Sequence, residues 1–517
     1  MGSRLVALAL VVGVGTVVSG ASAPEPQDDA ATVTHVLNRL AYGPRPGDVA
    51  RVQRMGVRAW IAGQLHPERL PDPAVDVRLA GFETLRLSSA TIVRDYERPV
   101  IEERRERQRQ AGATTPAGDP ATPDDPTPGP PREPTPAQRK SRQVMAELGD
   151  AKLLRAVYSE RQLEAVLTDF WFNHFNVFAG KGPTRAYVTE YERDVIRPHV
   201  FGRFRDLLGA TARSAAMLFY LDNWENVDPD GAARVASRLS ARGGPPRGRG
   251  RLARPSRPAG APPDGNARPP RGLNENYARE LMELHTLGVD GGYSQADVVA
   301  VARAFTGWTM RPREGSGFTF VAAMHDAKAK TVLGHPIRAG GGVDDGEQVL
   351  DLLAAHPSTA RFIATKLVRR FVSDAPPQAL VDRAAARFRE TGGDLREVVR
   401  VIVTSPEFFA PDVRGNKLKT PFELVASALR ASAAEVVNPR PLERTLRELG
   451  MPSYFCQPPT GYDDTAVAWN SPGALVTRMN LAVSLGHDTL PGARLPRDGV
   501  PRDELAATLA APAFQHR

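Results

Sequence analysis

The sequence predicts a mainly α fold: a multi-helix, orthogonal bundle-like domain with one small β-hairpin and two disordered insertions. Three observations carry this. Apolar residues recur at helical spacing from Thr34 to Gly486, bounded by Ser, Asp or Asn before and Gly after. Two stretches, 111–139 and 228–271, are rich in Pro with Thr and Ala, or in Arg with Pro and Gly, and too poor in apolar residues to order a core. Between Gly317 and Gly334 the pattern turns strand-like.

Residues 1–24 read as an export signal. Arg4 supplies the positive start, Leu5 to Val18 the short apolar run, and Ala21-Ser22-Ala23 a small-x-small cleavage site. There is no twin-Arg pair and no Cys for a lipid anchor, so the general secretory route to the periplasm or exterior is expected. No later stretch offers 18 uncharged apolar residues, so no stable membrane span is expected after cleavage.

The folded body is expected over 33–490, with 491–517 as a C-terminal tail. A helix over about 33–41 ends at Gly43-Pro44, a second follows Pro46-Gly47-Asp48, and a third opens at Gly56. His35 is read as a helix histidine and not as a ligand. Residues 84–110 read as one long charged helix, and helix resumes near Ser141.

Leu163 to Phe178 places Leu167, Phe170, Trp171, His174, Phe175 and Phe178 on one face, with Asp169, Asn173 and Asn176 facing away. His174 is therefore expected inside an aromatic wall, where each ring nitrogen needs a partner. It is either a hydrogen-bonded core histidine or, beside a carboxylate, a general acid/base.

The central stretch runs from Gly272 to Met310. Asn274 is the expected N-cap, Gly288 the left-handed stop, and Ser294 with Asp297 a capping box for the next helix. Tyr277, Ala278, Leu281, Met282 and Leu284 form an apolar arc that includes His285. Asn276, Glu280 and Glu283 line one polar stripe, with Arg279 beside Glu283. Three readings stay open: a solvated stripe with a Glu–Arg pair, a buried structural network, or a carboxylate pair serving as acid/base or divalent-metal ligands together with His174.

After Met310, Gly317 to Gly334 suggests the hairpin. His325-Asp326, followed by Lys328 and Lys330, forms either a hydrogen-bonded turn or a contribution to the site. Helices are expected over Gly346–Leu353, Thr359–Val372, Ala379–Glu390 and Leu395–Thr404, with Thr391 to Asp394 as break and cap. Asn226-x-Asp228-x-Asp230-Gly231 imitates the start of a calcium loop, but position twelve is Ser237, not the bidentate Glu that such a loop needs.

Asn274-Glu275-Asn276-Tyr277-Ala278-Arg279-Glu280-Leu281-Met282-Glu283-Leu284-His285-Thr286-Leu287-Gly288 resembles the signature of the domain-of-unknown-function 1800 family. The resemblance continues through Ala302 to Trp308, Trp171 to Phe175, Tyr191 to Gly202, His325-Asp326 and Lys417 to Glu423. It implies that Asn274, Asn276, Arg279, His285 and Trp308 are structural signature residues, and that the Leu221-Asp222-Asn223 segment and the Asn274 helix meet in space although the Arg-rich insertion separates them. It also implies a bacterial exported protein whose partner is an exported sulfatase-like protein encoded nearby. It implies no defined activity.

The formal net charge is +8, but Arg234 to Arg271 alone carries ten Arg against one Asp. The basicity belongs to one insertion, suited to an anionic polymer. It has no interleaved aromatics, so the stacking half of a nucleic-acid surface is missing. The single Cys456 excludes an internal disulfide and reads as a small buried hydrophobe. No phosphate loop, dinucleotide fingerprint, Gly-x-Ser-x-Gly elbow, His-Glu-x-x-His or Cys metal cluster occurs. Three functions follow in order: an envelope binding or assembly protein; a hydrolase-type or metal-dependent enzyme using Glu280, Glu283, His174, His325 and Asp326; and a binder of anionic polymer.

Overall fold

The computed structural model describes residues 28–113, 133–230, 272–311, 315 and 317–517. The expected signal and the greater part of both expected insertions lie outside the described residues. What is described of their edges belongs to the fold. Pro136–Tyr158 begins ahead of Ser141, on a capping box of Thr135 and Gln138. Asp228 is buried and donates its N–H to Met324 O at 2.8 Å.

The fold is mainly α, with three two-stranded sheets. Helices form where cap residues and apolar stripes coincide. Asp29 accepts from Thr32 N and starts Ala30–Leu40. Asp394 accepts from Glu397 N at 3.1 Å and starts Leu395–Val403, whose buried face is Leu395, Val398, Val399, Ile402 and Val403. Val343–Ala355, Pro357–Phe371 and Gln378–Glu390 lie close to their expected positions. One core cluster extends from Val33 to Leu509, with Trp171, Phe175, Phe204, Tyr277, Phe305 and Trp308 fully buried in it. Among the described residues no helix is long and apolar enough to cross a membrane.

Three expectations are corrected. Residues 84–110 are not one helix: Ser88 caps Ser89–Ile92, a π turn spans Val93–Glu97, and α-helix follows over Arg98–Ala113. Glu147 fixes the preceding turn, accepting from Thr84 N at 2.8 Å and Thr84 Oγ1 at 2.6 Å. The strand-like stretch makes two pairings, not one hairpin. Trp308–Thr309 pairs with Thr319–Phe320, and Lys330–Val332 pairs with His335–Ile337. Leu333 and Gly334 both take positive φ, the geometry of a tight two-residue turn. Residues 502–517 are no loose tail: Arg502–Ala510 packs on Pro472–Gly486, and Arg517 is buried against Glu423. On the side away from the aromatic wall, Asn173 and Asn176 meet the chain again. Asn176 Nδ2 donates to Cys456 O and Pro458 O, and Asn173 exchanges two 2.7 Å bonds with the Tyr462 backbone. They clamp the 456–462 loop. Gly461, at φ +75°, fits there because a Cβ would lie 2.3 Å from Asn173 O.

The segments on either side of residues 231–271 meet, as the resemblance implies. Asn274 donates its N–H to Asn226 Oδ1 at 2.9 Å and its side-chain amide to Asp222 O at 3.1 Å. Asn276 Nδ2 donates to Leu221 O, and Val227 N to Gly272 O. Asn226 also donates to Ala302 O at 2.8 Å, so its amide is a buried structural cross-link and not a calcium ligand. The chain thus leaves and re-enters the fold at one point. Loop closure costs only about 0.6 kcal/mol more per doubling of length. Replacing 231–271 by a six-residue Gly/Ser linker is therefore expected to preserve the fold and raise stability by up to about 2 kcal/mol, read by urea denaturation.

Candidate functional site

The central signature is two kinds of helix in series: α over Asn276–Glu280, then π over Leu281–Thr286. The wide turn is closed by Leu287 N to Met282 O at 2.8 Å and by Thr286 Oγ1 donating to Leu281 O at 2.6 Å. The N-cap is Glu275 and not the expected Asn274, whose Oδ1 accepts from Asn276 N at 2.9 Å from one residue further out. Gly288 has φ +83°, and Ser294 with Asp297 forms the expected capping box.

The polar stripe is half-buried. Burial and the neighbouring Glu283 raise the Glu280 carboxyl above its ordinary value, opposed by Arg279. Arg279 does not bridge to Glu283. It pairs with Glu275 one turn back at 3.3 Å and donates to Gln295 at 2.9 Å. Glu283 instead lies 3.5 Å from Tyr293 OH.

His174 ends the Gln162–His174 helix inside the expected aromatic wall, 4.5 Å from Phe175 and 5.3 Å from Trp171 between ring centroids. Its Nε2 donates to His285 O at 3.1 Å. That fixes the neutral ring with Nδ1 as the acceptor, and Nδ1 has no partner among the described residues. Burial, then Lys366 and His285, hold the His174 pKa well below its usual value. The carboxylates of the stripe take no part in this, so His174 is not a histidine poised by Glu280 or Glu283. His285 is likewise depressed to about 3 by burial and Lys366. Among the described residues no three His, Cys, Asp or Glu side chains converge as metal ligands, so Glu280, Glu283 and His174 are not brought together as a metal set.

Beside His174 lies a cavity of about 230 Å³. The Gln162–His174 helix contributes Asp169, Phe170, Asn173 and His174 to its wall; Pro357–Phe371 contributes Lys366, Arg369 and Arg370. The clamped loop contributes Thr460 to Asp464. Its acids are committed: Asp169 to Lys152, Asp463 to Thr465, Asp464 to Arg370, Lys417 and Arg517. Arg370 is bound by Glu423 at 2.7 Å. Lys366 and Arg369 have no hydrogen bond or ion pair among the described residues. Burial and Arg369 lower the Lys366 ammonium to about 8, against the opposing pull of Asp464.

His325 and Asp326 lie elsewhere, in a buried charge cluster. His325 Nδ1 is 2.8 Å from Thr306 O, and its Nε2 is 3.1 Å from Asp345 Oδ2. Lys330 Nζ is 2.6 Å from the same Asp345 oxygen, and Arg303 binds Asp326 at 2.7 Å. This is the hydrogen-bonded turn, with its ionic partners buried under it. Trp308 packs next to it between Phe305 and Phe318, at 4.9 Å from each, and Gly346 leaves the room its ring needs.

The family model described as a protein of unknown function, DUF1800, matches residues 35–517, across the signature helix and every cavity wall alike. The chain belongs to the DUF1800 family. No curated protein and no solved structure matches it. In this chain the Asn276–Thr286 helix presents the His285 carbonyl to His174 Nε2.

Lys366, Arg369 and Asp345 were not singled out from sequence. Lys366 and Arg369 sit in the last turns of a helix, where cations are commonplace. Asp345 sits in a helix first turn, equally ordinary for an acid.

Two outcomes are expected. Asp345→Ala leaves Lys330 buried and unpaired, at a cost of about 3–5 kcal/mol; adding Lys330→Met recovers part of it, as a double-mutant cycle in urea will show. Glu280→Gln removes a carboxylate whose charged form the fold disfavours. Its gain in Tm is full at pH 7 and shrinks as pH falls through the raised Glu280 pKa, since the wild-type group then protonates.

Proposed function

We propose that this DUF1800 protein is an exported envelope protein that docks onto another exported protein. The observation that carries the reading is the outer face of Pro472–Gly486. Leu475, Val476, Met479 and Val483 are 40 to 58 % exposed, and Val467 just before the helix is 91 % exposed. Over these fifteen residues the one charge, Arg478, is turned inward, donating to Lys419 O at 2.6 Å. A surface helix ordinarily spreads charge over its outer half, and an uncharged apolar stripe at i, i+1, i+4 and i+8 is the pattern of a helix that expects a partner. The N-terminal apolar run with its small-x-small site supports export. The partner chemistry that fits is an apolar groove, and the sulfatase-like exported protein implied by the family resemblance is the first one to test.

The hydrolase reading has less support: Glu280 and Glu283 are neighbours, His174 is governed by burial and then Lys366 instead, and His325 with Asp326 belongs to a separate ionic cluster. The anionic-polymer reading rests on residues 231–271 alone, and the linker variant described above separates it from docking.

A photo-crosslinking residue at position 479 in the exporting cell is expected to capture the partner, which is then purified and titrated with this protein. Val476→Asp with Met479→Glu is expected to keep the wild-type Tm and weaken the complex at least tenfold, about 1.4 kcal/mol. Unchanged affinity in that variant would remove the reading.

A further inference from the structure

Helices Pro136–Tyr158 and Arg440–Glu448 meet at a seam that carries more acid than base. Asp150 is 4 % exposed, and its Oδ1 is buried without a hydrogen-bond partner among the described residues. Its Oδ2 lies 3.8 Å from Arg440 Nε, beyond hydrogen-bond reach, and the Arg440 side chain is mostly in water. Glu443 comes from the facing helix. A Cβ on Gly149 would lie 3.1 Å from its carboxyl carbon. The missing side chain, in a mid-helix position where glycine is costly, thus lets a second carboxyl press against the backbone beside Asp150. Ser453 Oγ donates to Glu443 at 2.9 Å and keeps it there. Glu147, one turn before Asp150, is buried too, but Thr84 and Gln143 satisfy it. A buried carboxylate without hydrogen bonds, beside two other acids, is costly while charged and far less so once protonated.

The same helix braces both flanks of the docking helix Pro472–Gly486. Just after Glu448, Gly450 faces the Trp469 ring, which a Cβ there would meet at 4.0 Å. Just before Arg440, Val437 N and Asn438 N both donate to Gly492 O, at 3.0 and 3.1 Å.

We infer that this seam is a proton-held latch: while Asp150 keeps its proton, Arg440–Glu448 stays seated and braces the docking helix, and loss of the proton unseats it. The charged groups that act on Asp150 are Arg440, Glu443 and Glu147. Burial and the two acids outweigh the one cation and push the carboxyl up to about 7 in the closed seam. An opened seam returns it to water and the ordinary carboxyl range, so opening releases a proton. Opening gains up to tenfold for each pH unit between about 4 and 7 and levels off above 7. The bearing of the latch on docking rests on the function proposed above, but the latch itself is measured on the protein alone, so the two fail separately.

The test is amide hydrogen exchange of the protein from pH 5 to 8, corrected for the intrinsic chemical rate. Exchange over 440–450 is expected to rise at least tenfold and to level off above pH 7, with 466–469 and 490–492 rising alongside and Leu395–Val403 unchanged. Asp150→Asn, neutral at every pH, is expected to keep its pH 5 protection throughout. Arg440→Met removes the opposing cation and is expected to be more open than wild type at pH 8. A flat wild-type profile, the same rise in Asp150→Asn, a rise confined to 440–450, or an Arg440→Met protein no more open than wild type each overturns the assignment.

Discussion

One buried carboxylate holds the C-terminal half together. Glu423 lies in the first turn of Pro421–Ala431, where its Oε2 accepts from Thr420 N at 2.9 Å and closes its own helix. Its other oxygen lies 2.7 Å from Arg370 Nη1 and 3.2 Å from Arg517 Nε. Burial pushes this carboxyl up, but Arg370 and Arg517 outweigh it and hold the group at about 2. Asp464 joins the same two arginines, and Lys417 reaches Asp464 and Asp374. Two helices, the turn that follows the clamped loop and the last residue of the chain are tied at one ionic node. Such a node is specific more than it is strong, because desolvation cancels much of the attraction while loss of any one member leaves a buried charge uncompensated.

The cavity rests on that node and inherits its rigidity. Arg370 is spent on Glu423 and Asp464, so it forms wall; Lys366 and Arg369, on the same helix, are left over. Arg370 is ion-paired where Lys366 and Arg369 are not, although the Nε of both arginines is buried without a hydrogen-bond partner among the described residues. The DUF1800 signature contributes from the opposite side. Its His285 carbonyl accepts from His174 Nε2 at 3.1 Å and so sets the ring's tautomer.

Much of this was legible from residues alone. Caps and apolar periodicity located several helices, because Ser294 and Asp394 each carry a local signal that tertiary contacts do not override. The burial of His174 and His285 followed from their faces. What was not legible depended on contacts distant in sequence. The partners of Asn173 and Asn176, Tyr462 and Cys456, lie nearly three hundred residues on, and nothing local announces them. Arg279 was placed beside Glu283 by α-helical spacing, whereas the observed partners are Glu275 and Gln295. Lys366 and Arg369 are ordinary at a helix end, and only the commitments of Asp463, Asp464 and Glu423 make them unusual.

The π turn at Leu281–Thr286 has a consequence for how this family can vary. Leu287 N bonds Met282 O five residues back, so the wide turn holds one residue more than an α turn closed over the same revolution. Losing that residue would restore α spacing with little rotation of the ends, and the loss would fall on the contact the missing residue made: His285 O to His174 Nε2, or Thr286 Oγ1 to Leu281 O.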